Sequence, residues 1–201
     1  MRAVWLLIIP LLLLSDVVIE DFESTPVGKI PKGWQVAATH PGNRLAKWAV
    51  EKEGDNHILS LVRPGSSAFN LCYNPKLTFK EGKIAVRFRA NSGRIDQGGG
   101  IAWRIQDANN YFVVRYNPLE DNFRLYYVKH GWRHQIAGAN IHLLPGWHQM
   151  SITHKGERIT ASLDGKKLLQ ARSKAIPWAG GVGVWTKADA ATSFDELKVW
   201  R

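Results

Sequence analysis

The stretch GGGIAWRIQDANNYFVVRYNPLEDNFRLYY, Gly98–Tyr127, decides the fold. Apolar and polar side chains alternate through it with a period of two, the spacing that sends successive residues to opposite faces of a sheet. Three strands joined by two polar turns are predicted. In the first, Ile101, Trp103 and Ile105 share one face, and Ala102, Arg104 and Gln106 the other. In the second, Phe112, Val114 and Tyr116 oppose Tyr111, Val113, Arg115 and Asn117. In the third, Phe123, Leu125 and Tyr127 oppose Arg124, Tyr126 and Val128. One face of this sheet belongs in a core. The other carries arginines, tyrosines and an amide, and is either a solvated exterior or a polar binding surface.

The same pattern continues on both sides. Short extended runs are expected at Val17–Phe22, Trp34–Ala38, Trp48–Lys52, Ile58–Val62, Ala68–Tyr73 and Lys83–Arg89 before the three central strands. Trp132–Ala139, Trp147–His154, Arg158–Leu163, Lys166–Ala171, Gly180–Thr186 and Phe194–Trp200 come after them. Asp164-Gly165 is the clearest hairpin signal, because a two-residue type I′ turn needs positive φ at both central positions. Short strands at this spacing, with almost no helical periodicity, predict an all-β, two-sheet antiparallel sandwich. A length of 201 residues and an apolar content of 45% suit one such domain. No internal repeat or interdomain linker interrupts residues 16–201.

Met1–Ser15 reads as a secretory signal peptide, with Arg2 as the positive region and Ala3–Leu14 as the apolar one. That run is too short to span a bilayer comfortably and contains Pro10, which favours a signal over the alternative of an uncleaved membrane anchor. Export with no stable membrane span after cleavage is expected. Cys72 is the single cysteine, which excludes an intramolecular disulfide. The formal charge of +10 first suggests nucleic acid. The basic residues, however, are scattered over nearly every strand and turn, and no nucleic-acid-binding motif is present. A basic solvated surface, with affinity for acidic glycans, fits better than a nucleic-acid partner.

Several short motifs together resemble the 3-keto-disaccharide hydrolase family, formerly a domain of unknown function, of the concanavalin A-like lectin/glucanase superfamily. They are Asp21-Phe22, Pro31-x-Gly33-Trp34, Gly99-Gly100-Ile101-Ala102-Trp103-Arg104, Asn110-Tyr111, Gly146-Trp147-His148 and Asp164-Gly165. Gly180–Asp189 and Phe194–Leu197 complete the set, and the resemblance runs from about Val17 to Arg201. It implies a concanavalin A-like jelly roll whose concave sheet face accepts sugars. The family-16 glucanase branch of that superfamily sets its carboxylates on one strand as Glu-x-Asp-x-x-Glu. None of the eight glutamates stands in that spacing, which argues against a retaining glucanase of that kind.

The residues expected to contact a ligand are Arg104, Tyr111, Arg115, Asn117, Trp185 and Lys187. Arginines and an amide can bond sugar hydroxyls, and the rings of Tyr111 and Trp185 can stack on a pyranose. The same side chains could instead stiffen a solvated face by cross-strand pairing. Asp96 and Asp107 are the carboxylates nearest this face and the candidate catalytic groups. Turn aspartates also commonly bond their own backbone. Asp21 and Asp195 would meet if the first and last strands pair, making a candidate structural calcium site; a surface ion pair is the competing reading. His148 and His154 share a strand face with Met150 and Ile152 and are expected to be buried.

Three functions stay open at this level. The chain is a glycan-binding module, a glycoside-cleaving enzyme acting on a modified sugar such as a 3-keto-glycoside, or a structural or adhesive surface domain. The enzyme would need one base and an oxyanion stabiliser, with Asp96 or Asp107 in the first role and Arg104 or Lys187 in the second.

Overall fold

The computed structural model describes residues 16–66 and 69–201. The expected signal segment lies outside the described residues, as does Ala68 at the start of one expected strand. The strands are β1 (Val17–Glu20), β2 (Gln35–Thr39), β3 (Lys47–Glu53), β4 (Asn56–Arg63), β5 (Phe69–Phe79), β6 (Gly82–Ser92), β7 (Gly99–Asp107) and β8 (Asn110–Asn117). They continue as β9 (Asn122–Lys129), β10 (Trp132–Asn140), β11 (His148–Lys155), β12 (Arg158–Leu163), β13 (Lys166–Arg172), β14 (Gly180–Lys187) and β15 (Ala191–Trp200). No helix occurs among the described residues.

All pairing is antiparallel, in two sheets. One runs β13-β12-β11-β6-β15-β4-β3, with β1 added along β15, and the other runs β10-β9-β8-β7-β14-β5-β2. The sheets stack through a shared apolar layer. Ile101, Trp103, Phe112, Val114, Phe123 and Leu125 of the seven-stranded sheet meet Ile84, Phe88, Met150, Ile152, Phe194 and Val199 of the other. Burying a side chain of this size stabilises by about 1.5–3 kcal/mol. The fold is thus the two-sheet antiparallel sandwich that strand periodicity predicts.

Asp164 (φ 47°) and Gly165 (φ 77°) close the β12–β13 hairpin with both central residues left-handed, and Leu163 pairs Lys166. Gly100 is required for a different reason. A Cβ there would lie 1.8 Å from the Val114 carbonyl oxygen, so only a bare backbone lets β7 approach β8.

Alternation fails at one place. Register shifts on both sides of β7 beyond Trp103, and Arg104 sits in the left-handed region at φ 48°. One extra residue in a strand reverses the facing of every residue beyond it. Ile105 therefore joins Ala102, Tyr111 and Val113 on the outer face of the sheet, away from Trp103. Arg104 turns toward the sandwich interior, its guanidinium carbon 5.9 Å from the Phe112 ring centre.

Candidate functional site

The outer face of the seven-stranded sheet is strongly concave. Arg133 on β10 and Phe69 on β5 are five strands apart, about 24 Å in a flat sheet. Yet the Arg133 guanidinium carbon is 5.1 Å from the Phe69 ring centre and 4.4 Å from that of Tyr126. His40, just beyond β2, meets Trp132 of β10 at a ring separation of 6.0 Å. The sheet curls until its two sides touch. Its concavity is filled by a second apolar cluster built on Leu71, Tyr73, Tyr111, Val113, Tyr126 and Trp185.

Within that cluster a chain of hydrogen bonds runs in one direction. The Trp185 indole N–H donates to the Tyr111 hydroxyl (3.1 Å), which donates its own proton to Thr39 Oγ1 (2.8 Å). Thr39 in turn donates to the Ala108 carbonyl (2.5 Å). Tyr111 is 0% exposed and Trp185 1%, so neither ring presents a face to solvent. Burial pushes the Tyr111 hydroxyl above its ordinary range, with the Thr39 and Trp185 bonds opposing.

A charged network closes one end of the concave face. Lys187 at the end of β14 places Nζ 2.6 Å from Asp96 Oδ2, and Asn117 of β8 donates to Asp96 Oδ1 at 3.0 Å. Asp96 is 3% exposed; a buried carboxylate is tolerable only with such partners. Its loop is held by Asp189, whose carboxylate accepts from the backbone N–H of Arg94 (2.8 Å), Ile95 (3.0 Å) and Asp96 (2.9 Å). Those bonds hold the Asp189 carboxyl below the usual carboxylate range.

Beside it, Arg115 is pinned by Asn122, bonds Glu120 Oε2 at 2.9 Å and lies over the Tyr126 ring. Asn122 also donates to Glu120 at 2.9 Å. The Asn122 amide and then the Arg115 guanidinium hold the Glu120 carboxyl below its ordinary range. Lys187 and Glu120 keep 28% and 49% of their side chains exposed, while Asp96 and Arg115 keep 5% each. The inner pair thus anchors an outer cation and an outer carboxylate.

Of the residues singled out by sequence, Asp96, Arg115, Asn117 and Lys187 meet here. Tyr111 and Trp185 lie deeper on the same face. Asp107 does not join them; it sits in the β7–β8 turn, accepting from the Asn109 backbone (2.7 Å) and the Asn110 side chain (2.9 and 3.0 Å). Arg104 is also elsewhere, because the bulge turns it inward. Its Nη1 donates to the Ile176 carbonyl (2.8 Å), while Nε (2.9 Å) and Nη2 (2.6 Å) donate to the Lys80 carbonyl. Glu120, Asn122 and Asp189 were not singled out. The turn Asn117–Asn122, which sets positions 117 and 122 opposite each other, is the signal that could have found the first two.

The first and last strands do pair, with Glu20 opposite Leu197, so Asp21 and Asp195 line one shallow depression. Their surroundings do not suit calcium. Asp195 accepts from the Asn56 amide (3.1 Å) and the Glu196 backbone (2.7 Å), and Arg87 Nη1 stands 3.6 Å away where a cation would be. Among the described residues, no three His, Cys, Asp or Glu side chains converge as metal ligands. His154 is fully buried, and its Nδ1 accepts from the Trp103 indole at 3.0 Å. His148 is partly exposed and contacts Asp164 Oδ2 (2.7 Å) and the Leu144 carbonyl (2.7 Å).

Comparison with known structures places the architecture. A carbohydrate-binding module, CBM66 from Bacillus subtilis, superposes with a TM-score of 0.66 at 15% identity, covering 83% of this chain and 94% of that one. SCLam, a non-specific endo-β-1,3(4)-glucanase of family GH16, superposes at 0.64 with 14% identity, over 93% and 91%. A β-glucanase from Bacillus licheniformis gives 0.60 at 13% identity, over 92% and 97%. The fold is that of the concanavalin A-like jelly rolls. No family model and no curated protein matches the sequence.

Proposed function

We propose that the chain is an exported glycan-binding domain whose sugar contact lies at the Lys187–Glu120 end of the concave face. One observation carries this reading. Lys187 and Glu120 are partly exposed groups of opposite charge, Lys187 fixed by the buried Asp96 of the β6–β7 loop and Glu120 by the buried Arg115 of β8. A preorganised cation and carboxylate at the mouth of a concave sheet match a sugar hydroxyl pair, one accepting and one donating. The names of the structural neighbours, a carbohydrate-binding module and two glucanases, support the same class of ligand. A glycan array followed by calorimetry on Lys187→Ala and Glu120→Gln tests it. The expected result is a hit weakened about tenfold or more by either substitution; an array without hits removes the reading.

Cleavage of a 3-keto-glycoside is the second reading, consistent with the resemblance to the 3-keto-disaccharide hydrolases. It is favoured by a buried carboxylate, Asp96, with an ammonium 2.6 Å away. The keto group acidifies C2–H. Asp96 would take that proton, the electron pair would form the C1–C2 double bond, and the aglycone would leave C1 with a proton from water. Lys187 would stabilise the charge developing on the keto oxygen. Turnover of a 3-keto-glycoside, abolished in Asp96→Asn, is the required result, and no turnover by the native chain ends this reading.

A further inference from the structure

At the opposite end of the seven-stranded sheet three depressions run into one another. The first, about 500 Å³, lies between Gln106 and Asn110 of the β7–β8 hairpin, Lys129 and His130, and the segment from Lys174 to Trp178. The second shares Lys174 and Pro177 with it and continues past Lys80 and Glu81 to Gly156 and Glu157. The third shares Gly156 and Glu157 and ends among Lys155, Arg158 and Arg172. Together they form a trough along the end of the sandwich.

Arg104 underlies the second depression. The residue is 2% exposed, and its guanidinium bonds the carbonyls of Lys80 and Ile176, and so ties the β5–β6 turn to the β13–β14 segment. Arg104 Nη2 also points to the Gly156 carbonyl at 3.5 Å in the β11–β12 turn. A left-handed backbone and a buried cation at one position hold the three walls in register.

The walls are basic. Lys80, Lys129, Lys155 and Arg158 are exposed and have no ion-pair partner among the described residues. Lys174 and Arg172 share the single carboxylate of Glu157, at 3.3 and 3.7 Å. At the first end the Trp178 indole is 66% exposed, a large apolar ring held in water beside Pro177. An exposed indole flanked by ammonium groups is a platform for a pyranose carrying negative charge.

We propose that this trough binds an acidic polysaccharide, one sugar stacking on Trp178 and uronate or sulfate groups further along meeting Lys80, Lys155 and Arg158. The inference rests on the glycan-binding reading but concerns a separate surface. Glu81 and Glu157 decide between polyanions. They repel either polyanion, but only the polysaccharide carries ring hydroxyls that can donate to them.

The test is calorimetry of the full chain with polygalacturonate oligosaccharides, a neutral β-glucan oligosaccharide and single-stranded DNA of matched charge, over a salt series. Trp178→Ala and the combined Lys80→Ala, Lys155→Ala, Arg158→Ala variant change only exposed side chains, and melting curves verify folding. Expected is polygalacturonate binding weakened about tenfold or more in each, with a shallower salt dependence only in the combined variant. DNA binding as tightly as polygalacturonate, or affinity unchanged in both variants, overturns the proposal. Neutral glycan binding that is lost in Lys187→Ala, with no binding of polygalacturonate, removes the trough and leaves the concave-face reading standing. Absence of any glycan binding removes both.

Discussion

Trp103 donates its indole N–H to His154 Nδ1 across 3.0 Å, a hydrogen bond between β7 and β11 that joins the two sheets inside the core. The bond requires Nδ1 to be an acceptor, so the imidazole is neutral with its proton on Nε2. Edge-to-face packing of the same imidazole on Phe112, with ring centres 5.3 Å apart, leaves no room for a hydration shell.

Acid lability is the consequence of that bond. Burial, reinforced by the charge of Arg104, pushes the His154 pKa from an ordinary 6.5 down to about 4. The unfolded chain therefore binds a proton that the folded chain refuses, and stability falls as pH drops from about 6.5 to about 4, where the loss levels off. At 1.36 kcal/mol per pKa unit the contribution is on the order of 3 kcal/mol. Urea unfolding midpoints measured through this window should decline in the native protein. They should decline less in His154→Asn, which keeps an acceptor for Trp103 but no titrating ring. Equal slopes in the two proteins would place the acid sensitivity elsewhere.

Tyr111→Phe isolates the directional chain on the concave side. The substitution keeps the ring and removes the hydroxyl, so the Trp185 indole and Thr39 lose their shared partner in a dry cluster. An unsatisfied buried donor costs about 1–3 kcal/mol. That loss should appear in the denaturation midpoint with an unchanged slope on denaturant. A neutral effect would mean that water reaches Trp185 Nε1.

Cys72 should be silent in the folded protein. It is fully buried in the inter-sheet layer, and burial pushes its thiol well above the ordinary range. Thiolate is the reacting form, so alkylation should proceed only through unfolding. The labelling rate should track denaturant concentration as the unfolded population does. Fast labelling without denaturant would show local opening of β5.

Where alternation was intact, the sequence was legible. Phe112, Val114 and Tyr116, then Phe123 and Leu125, face the other sheet as the period of two requires, and the Asp164-Gly165 hairpin stands where turn chemistry puts it. Legibility stopped at Arg104, because a bulge is a backbone choice with no fixed residue signature, and it reversed the faces of Arg104 and Ile105. The curl of the sheet was equally hidden. It depends on contacts between strands far apart in the chain, such as Arg133 with Phe69, and it turned Tyr111 and Trp185 from surface residues into core. Asp189 escaped notice for the same reason: its three backbone partners lie more than ninety residues away in sequence.

Arg104 gives the sharpest test of how the bulge and the trough depend on each other. Its guanidinium satisfies the Lys80 and Ile176 carbonyls from a left-handed backbone, so the side chain holds in place the conformation that aims it. Arg104→Met keeps the stem over Phe112 but orphans those acceptors, at a cost of about 2–4 kcal/mol. Arg104→Lys should lose less, since one ammonium can reach a single carbonyl but cannot fork between them. The segment Ser173–Ala179, released from Ile176, should exchange amide protons faster in both variants, and more so in Arg104→Met. If exchange there is unchanged while global stability falls, Arg104 is only a core anchor, and the walls of the trough are set by other contacts.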